Sequence, residues 1–141
     1  MPRALFAIVA VLMSLTQSAA AQDTSKIMVE LNRSTDAGEG VCQVIFVGRN
    51  DLGQPFNEIT LRLAVFDAEG IFQNMLALPL GQLSADHRKI ARFNLPSECA
   101  AISEIVVNDV AACILPGGED ISGECLDKLE VSSRSDIAFG L

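Results

Sequence analysis

The chain has 141 residues, 50% of them hydrophobic, with a formal net charge of -8, four Cys, one His and neither Trp nor Tyr. Residues 1 to 21 hold 15 of the hydrophobic residues and a single charge, Arg3, which leaves a remainder that is about 46% hydrophobic, an ordinary globular fraction. Without Arg3, nine basic side chains stand against 18 acidic ones, a balance of 9 - 18 = -9. That excludes nucleic acid and anionic membrane as expected partners, because phosphate binding needs clustered Lys and Arg.

The first expected element is a targeting segment. Arg3 supplies a short positive region, Ala4 to Leu15 an apolar stretch of 12 residues, and Ala19-Ala20-Ala21 a small-residue cleavage site. Together they make a secretory signal peptide cut after Ala21, with 22–141 as the exported domain. A membrane anchor is the poorer reading, since 12 helical residues span about 18 Å of a roughly 30 Å hydrocarbon core. There is no Arg-Arg pair before the apolar stretch and no Cys after the Ala run, so the twin-arginine route and lipoprotein anchoring lack their signals.

Period-two alternation then dominates. Lys26 to Leu31 alternates through Ile27, Val29 and Leu31, and Val41 to Val47 is a second strand ended by the turn-rich Gly48 to Pro55. Ile59 to Phe66 is the clearest strand, with Ile59, Leu61, Leu63 and Val65 on one face. Asp67-Ala68-Glu69-Gly70 reads as a four-residue hairpin loop, and Ile71 to Leu78 as the returning strand. Arg88 to Leu95 sets Ala91, Phe93 and Leu95 on one face and is stopped by Pro96. Ile102 to Ile114 admits either a strand or, in part, a helix, and its β-branched residues Ile102, Ile105, Val106, Val107 and Val110 favour the strand. Leu126 to Ser132 is the last candidate. About seven short strands at regular spacing predict an all-β, antiparallel, immunoglobulin-like sandwich forming a single domain.

All four Cys lie after the signal, at 42, 99, 113 and 125. An even count in an exported chain reads as two disulfides. Three pairings are open. Cys113 with Cys125 is favoured because Leu115 to Gly118 and Ile121 to Gly123 can turn the chain back over a short span, leaving Cys42 with Cys99. Closing the shorter loop stabilises by about 3 kcal/mol in the chain-entropy model. A zinc site is disfavoured, since the Cys are scattered and no Cys-x-x-Cys occurs.

Four segments carry a family resemblance: Cys42 to Asn50, Leu61 to Gly70, Arg92 to Leu95 ahead of Cys99, and Val107 to Val110 with Cys113. In this order they resemble a family of small uncharacterised exported alphaproteobacterial proteins with four Cys, over most of 40–134. The Asn50-turn-strand-Phe66-Asp67-x-x-Gly70 arrangement is similar to FxLYD-like, immunoglobulin-type β-sandwich modules over about 40–95. The resemblance implies a Gram-negative periplasmic address and a sandwich fold, and it supplies no catalytic residues.

Candidates for chemistry are few. His87 is the only imidazole and so the only ordinary general base, with Ser84 nearby, but no nucleophile elbow accompanies them. A solvated loop His is the better reading. Glu119, Asp120, Glu124, Asp127 and Glu130 could offer oxygens to Ca²⁺, yet they lack the order of an EF-hand loop and Lys128 interrupts them. Arg88, Lys89 and Arg92 form the basic cluster, which suits either an anionic group or the guarding of an edge strand. Asn32-Arg33-Ser34 formally matches a glycosylation acceptor, to which the bacterial source that the resemblance implies gives no weight. The expectation is therefore a non-catalytic periplasmic or secreted binding protein without cofactor, bound metal or membrane span, whose partner is another protein or envelope component. The alternative is a small-ligand or Ca²⁺ module using 119–130. Oligomeric state is not set by these patterns.

Overall fold

Alternating apolar side chains can be buried on one face of a strand only if a second layer covers that face, and here two sheets cover each other. The structure is a computed structural model and describes residues 25–141. Its strands are β1 (Ile27–Asp36), β2 (Cys42–Asn50), β3 (Phe56–Asp67), β4 (Phe72–Leu83), β5 (Arg88–Leu95), β6 (Ile102–Ile114), β7 (Leu129–Ser133) and β8 (Ala138–Gly140). A 3₁₀ turn at Cys99–Ala101 precedes β6, and a short helix, α1 (Ser122–Asp127), precedes β7. The first sheet has the order β5-β2-β1-β7 and the second β4-β3-β6-β8. This is the expected all-β sandwich, with eight strands. The expected signal segment 1–21 lies outside the described residues.

The core lies between the sheets. Ile27, Val29 and Leu31 of β1 and Val44 and Phe46 of β2 face Ile59, Leu61 and Leu63 of β3, with Leu78 and Leu80 of β4 and Ile105 of β6. Phe46 meets Phe139 edge to face at 5.2 Å between ring centres, a favourable aromatic geometry. Where β2 crosses β4, Gly48 leaves room for Leu80: a Cβ on Gly48 would approach the Leu80 Cδ1 to 3.2 Å.

β6 settles the ambiguity over 102–114 as a single strand. Its pairing with β3 shifts register at three places, between Asp67 and Phe66, between Leu63 and Arg62, and between Leu61 and Thr60. Each shift inserts one extra residue on β6, as a β-bulge does. The buried residues Ile102, Ile105, Val107, Val110 and Cys113 are therefore often three apart rather than two, which is why the stretch resembles a helix in sequence.

Two departures from the expected pattern occur at the C-terminal end. The strand expected at Leu126 begins at Leu129, because Ser122–Asp127 winds into α1, which turns Cys125 inward while Leu126 stays exposed. β8 was not expected at all. β7 pairs parallel with β1 and β8 parallel with β6, so each sheet is mixed rather than purely antiparallel.

Both disulfides form as expected, Cys42 with Cys99 and Cys113 with Cys125. The first pins the 3₁₀ turn to β2, and the second ties α1 to β6. Disulfides of this kind belong to oxidising compartments. Among the described residues no helix is long and apolar enough to cross a membrane.

Candidate functional site

The sequence candidates come first. His87 is exposed in the β4–β5 turn, and its Nδ1 donates to the Ala85 carbonyl at 2.8 Å. Ser84 contributes a backbone carbonyl to the same turn, accepting from the His87 amide at 3.3 Å. Asp86 between them has φ of 60°, a left-handed turn position that Asp tolerates. One imidazole nitrogen is thus held by the residue's own loop.

Of the acidic residues of 119–130, Asp127 and Glu130 line one surface pocket with Lys26 and Lys128, and two have defined side-chain partners. Asp120 accepts from the Ser122 amide at 2.9 Å and hydroxyl at 2.5 Å, and the Ser122 hydroxyl is the main reason its carboxyl is held below the usual range. Glu130 of β7 pairs with Lys26, which immediately precedes β1. Among the described residues, no group of three or more His, Cys, Asp or Glu side chains could hold a metal ion. The basic cluster sits on β5, at the free edge of the first sheet. Arg88, Ile90 and Arg92 are exposed there, and Lys89 reaches back to the Gln82 carbonyl at 3.4 Å. That placement matches the edge-guarding role.

A concave site lies elsewhere, at the seam where the β4 edge of the second sheet passes the β5 edge of the first. A groove of about 480 Å³ opens there, with Val65, Leu76, Phe93 and Ile102 among its apolar lining and Gln73 and Asn94 at its rim. One end is built by the β3–β4 turn. Gly70 takes φ of 77°, which an unbranched backbone allows at no steric cost. Asp67 organises the rest: its Oδ1 accepts from the amides of Glu69 at 3.0 Å and Ile71 at 2.8 Å. Its Oδ2 accepts from the Gln73 side-chain amide at 2.6 Å, and its backbone carbonyl accepts from the Ser103 hydroxyl. Gln73 is held as part of the wall by a carboxylate fixed at the turn.

The other end is built by the first disulfide. Leu95 is opposite Cys42 in the β2–β5 ladder, and the chain then passes through Pro96 and Ser97 to Cys99, whose amide donates to Asp36 Oδ1 at 2.8 Å. The Cys42–Cys99 bond fixes this segment as a wall of the groove. The one carboxylate of the lining, Asp67, has both oxygens engaged by its own turn and by Gln73. What it offers is apolar surface, the side-chain amides of Gln73, Asn74 and Asn94, and the free edge of β4.

The β4 edge itself is uncharged. From Ile71 to Ala85 the sequence carries no Asp, Glu, Lys or Arg. Phe72 is 51% exposed and Met75 37%, and Phe72 stacks edge to face on Phe66 at 6.1 Å on the outer side of the sheet. The pairing partners show the facing: Phe72 and Met75 lie opposite Phe66 and Ala64, whereas Asn74 and Leu76 lie opposite Val65 and Leu63 on the core side. Sequence reasoning passed over this site because its residues read as ordinary strand. The absence of charge over 71–85 was the signal that could have found it.

Compared with known proteins, the chain matches no family model, and no curated protein matches it. Among solved structures it is similar to IrmA from Escherichia coli, with a TM-score of 0.60 and 11% sequence identity, over 76% of this chain and 91% of that one. That likeness shows the sandwich fold alone.

Proposed function

We propose that this protein is a non-catalytic periplasmic binding module that holds an extended stretch of polypeptide, from another envelope protein or component, along the β4 edge and the adjoining groove. The observation that carries the reading is the uncharged, apolar edge of β4 beside a walled groove. An added strand would gain main-chain hydrogen bonds from the edge and specificity from alternate side chains entering the groove. The export signal read at 1–21, the two disulfides and the resemblance to small exported alphaproteobacterial proteins all favour the periplasmic address.

The test is hydrogen exchange on the exported chain, diluted to about 0.1 µM so that mass action keeps copies apart, with and without envelope extract, paired with affinity capture. The expected result is slowed exchange of amides 72–78 and a captured protein lost when Leu76→Asp closes the groove to apolar side chains. Unchanged exchange throughout 72–78, or capture indifferent to the substitution, would overturn the reading.

A further inference from the structure

Each sheet has two edges, and three of the four are short or guarded. β7 has five residues and β8 has three. β5 carries Arg88, Lys89 and Arg92. Natural sheets blunt their edges in these ways because an unpaired strand is a template for another chain. β4 is different. Its far end is interrupted by Pro79 and by Gly81 at φ 63°, and Lys89 covers the Gln82 carbonyl. Phe72 to Leu78 has neither charge nor Pro, the composition of a segment that pairs readily with its like.

Resting on the reading of this edge as a binding surface, we infer that, until a partner polypeptide displaces it, the edge is covered by a second copy of the same chain, whose β4 adds antiparallel across a twofold axis. Two four-stranded sheets would then join into one of eight. Charge leaves this long edge open to a second copy and closes the other. With 18 acidic against nine basic residues after the signal, two copies repel over most approaches. Pairing through β5 would set Arg88, Lys89 and Arg92 against themselves. Along Phe72 to Leu78 no like charges are opposed, so this is the long edge on which the molecule is compatible with itself.

Facing restricts the register. Directly opposed residues in an antiparallel pair share a face. Met75 and Ala77 point outward, and Asn74, Leu76 and Leu78 point toward the core side. Setting Leu76 opposite its own counterpart brings Asn74 against Leu78 and Met75 against Ala77, all same-face pairs. The twofold closes the assembly at two copies, which covers the segment without propagating a fibre.

Sedimentation velocity on the exported chain tests this, using Asn74→Lys on β4 and Ile90→Lys on β5. Both positions are exposed, and each variant is checked for two intact disulfides and native circular dichroism. A dimer at about 10 µM is expected by mass action, with affinity lowered at least about tenfold by Asn74→Lys and unaltered by Ile90→Lys. A monomer for the wild-type chain, or a dimer indifferent to Asn74→Lys, overturns the second-copy inference. If such a monomer still shows slowed exchange at 72–78 with envelope extract, the binding reading stands without self-association. If 72–78 is protected in neither setting, both fall.

Discussion

Asn50 is the buried polar side chain of the core among the described residues, and its hydrogen bonds are all made. Its side-chain amide donates to the carbonyls of Gln54 at 2.7 Å and Leu83 at 3.1 Å, and its Oδ1 accepts from the Leu52 amide at 3.0 Å. It therefore staples the β2–β3 loop to the end of β4. Asn50→Ala removes all three bonds and leaves buried backbone groups unpaired, so a loss of about 2–3 kcal/mol is expected in urea unfolding. Asn50→Asp should not rescue it, because a carboxylate cannot donate to two carbonyls. A loss below about 0.5 kcal/mol for Asn50→Ala would show that the staple is dispensable.

Glu30 supplies a pH dependence at the same scale. Its carboxyl is held below the usual range, first by the Asn32 side-chain amide and then by Arg134, whose Nε donates at 2.8 Å. A depressed carboxylate stabilises the fold above its unfolded pKa, and that contribution disappears as pH falls through the folded value. Glu30→Gln should thus be less stable than wild type at about pH 7, with the difference shrinking toward about pH 3, below the ordinary carboxylate range. A pH-independent difference in unfolding midpoints would assign the effect to packing.

Among the elements, the two disulfides close loops of different length, with separations of 57 and 12 residues. The chain-entropy argument gives about 4 kcal/mol for Cys42–Cys99 and about 3 kcal/mol for Cys113–Cys125. Replacing each pair by Ser should reproduce that order in denaturant titrations, and the reverse order would show that local structure around α1 dominates. The contact between Gly48 and Leu80 predicts that Gly48→Val, which adds three carbons where one is already tight, costs about 1–3 kcal/mol by overpacking. A neutral result would mean that β2 and β4 can separate freely.

Element identity was legible wherever alternation was unbroken, as in β3, where Ile59, Leu61, Leu63 and Val65 bury one face. It was less legible in β6, because bulges are chosen by the pairing partner and not by the strand's own residues. α1 was missed because six residues are too few to establish a helical period, and β8 because a three-residue strand is defined by the chain it lies against.

For the whole molecule, the excess of acid and the neutral β4 edge make opposite contributions to association. If copies pair through β4, raising salt from about 10 to 150 mM shortens the Debye length from about 30 to 8 Å and should strengthen the dimer. Weakening with salt in sedimentation runs would indicate that ionic contacts, and hence another surface, hold the copies together. The C-terminal segment shows the same dependence on the whole. Between β7 and β8 the chain crosses from one sheet to the other, with Ile137 buried and the Ser133 hydroxyl donating to its carbonyl at 2.6 Å. Phe139 then closes over Phe46.

The sequence by itself determined the alternation that makes two apolar faces, the turns that separate the strands and the short Cys113–Cys125 loop. These depend on neighbours a few residues apart, and the physical rules for them are local. Tertiary structure decided which strands became edges, where bulges offset β6, and that Val65, Leu76 and Phe93 from three separate strands line one groove. Those outcomes depend on long-range pairing, in which a residue's role is set by what lies across the sheet. The uncharged run from 71 to 85 belongs to both: its composition is written in the chain, and it becomes an exposed edge because, among the described residues, β4 pairs with β3 alone.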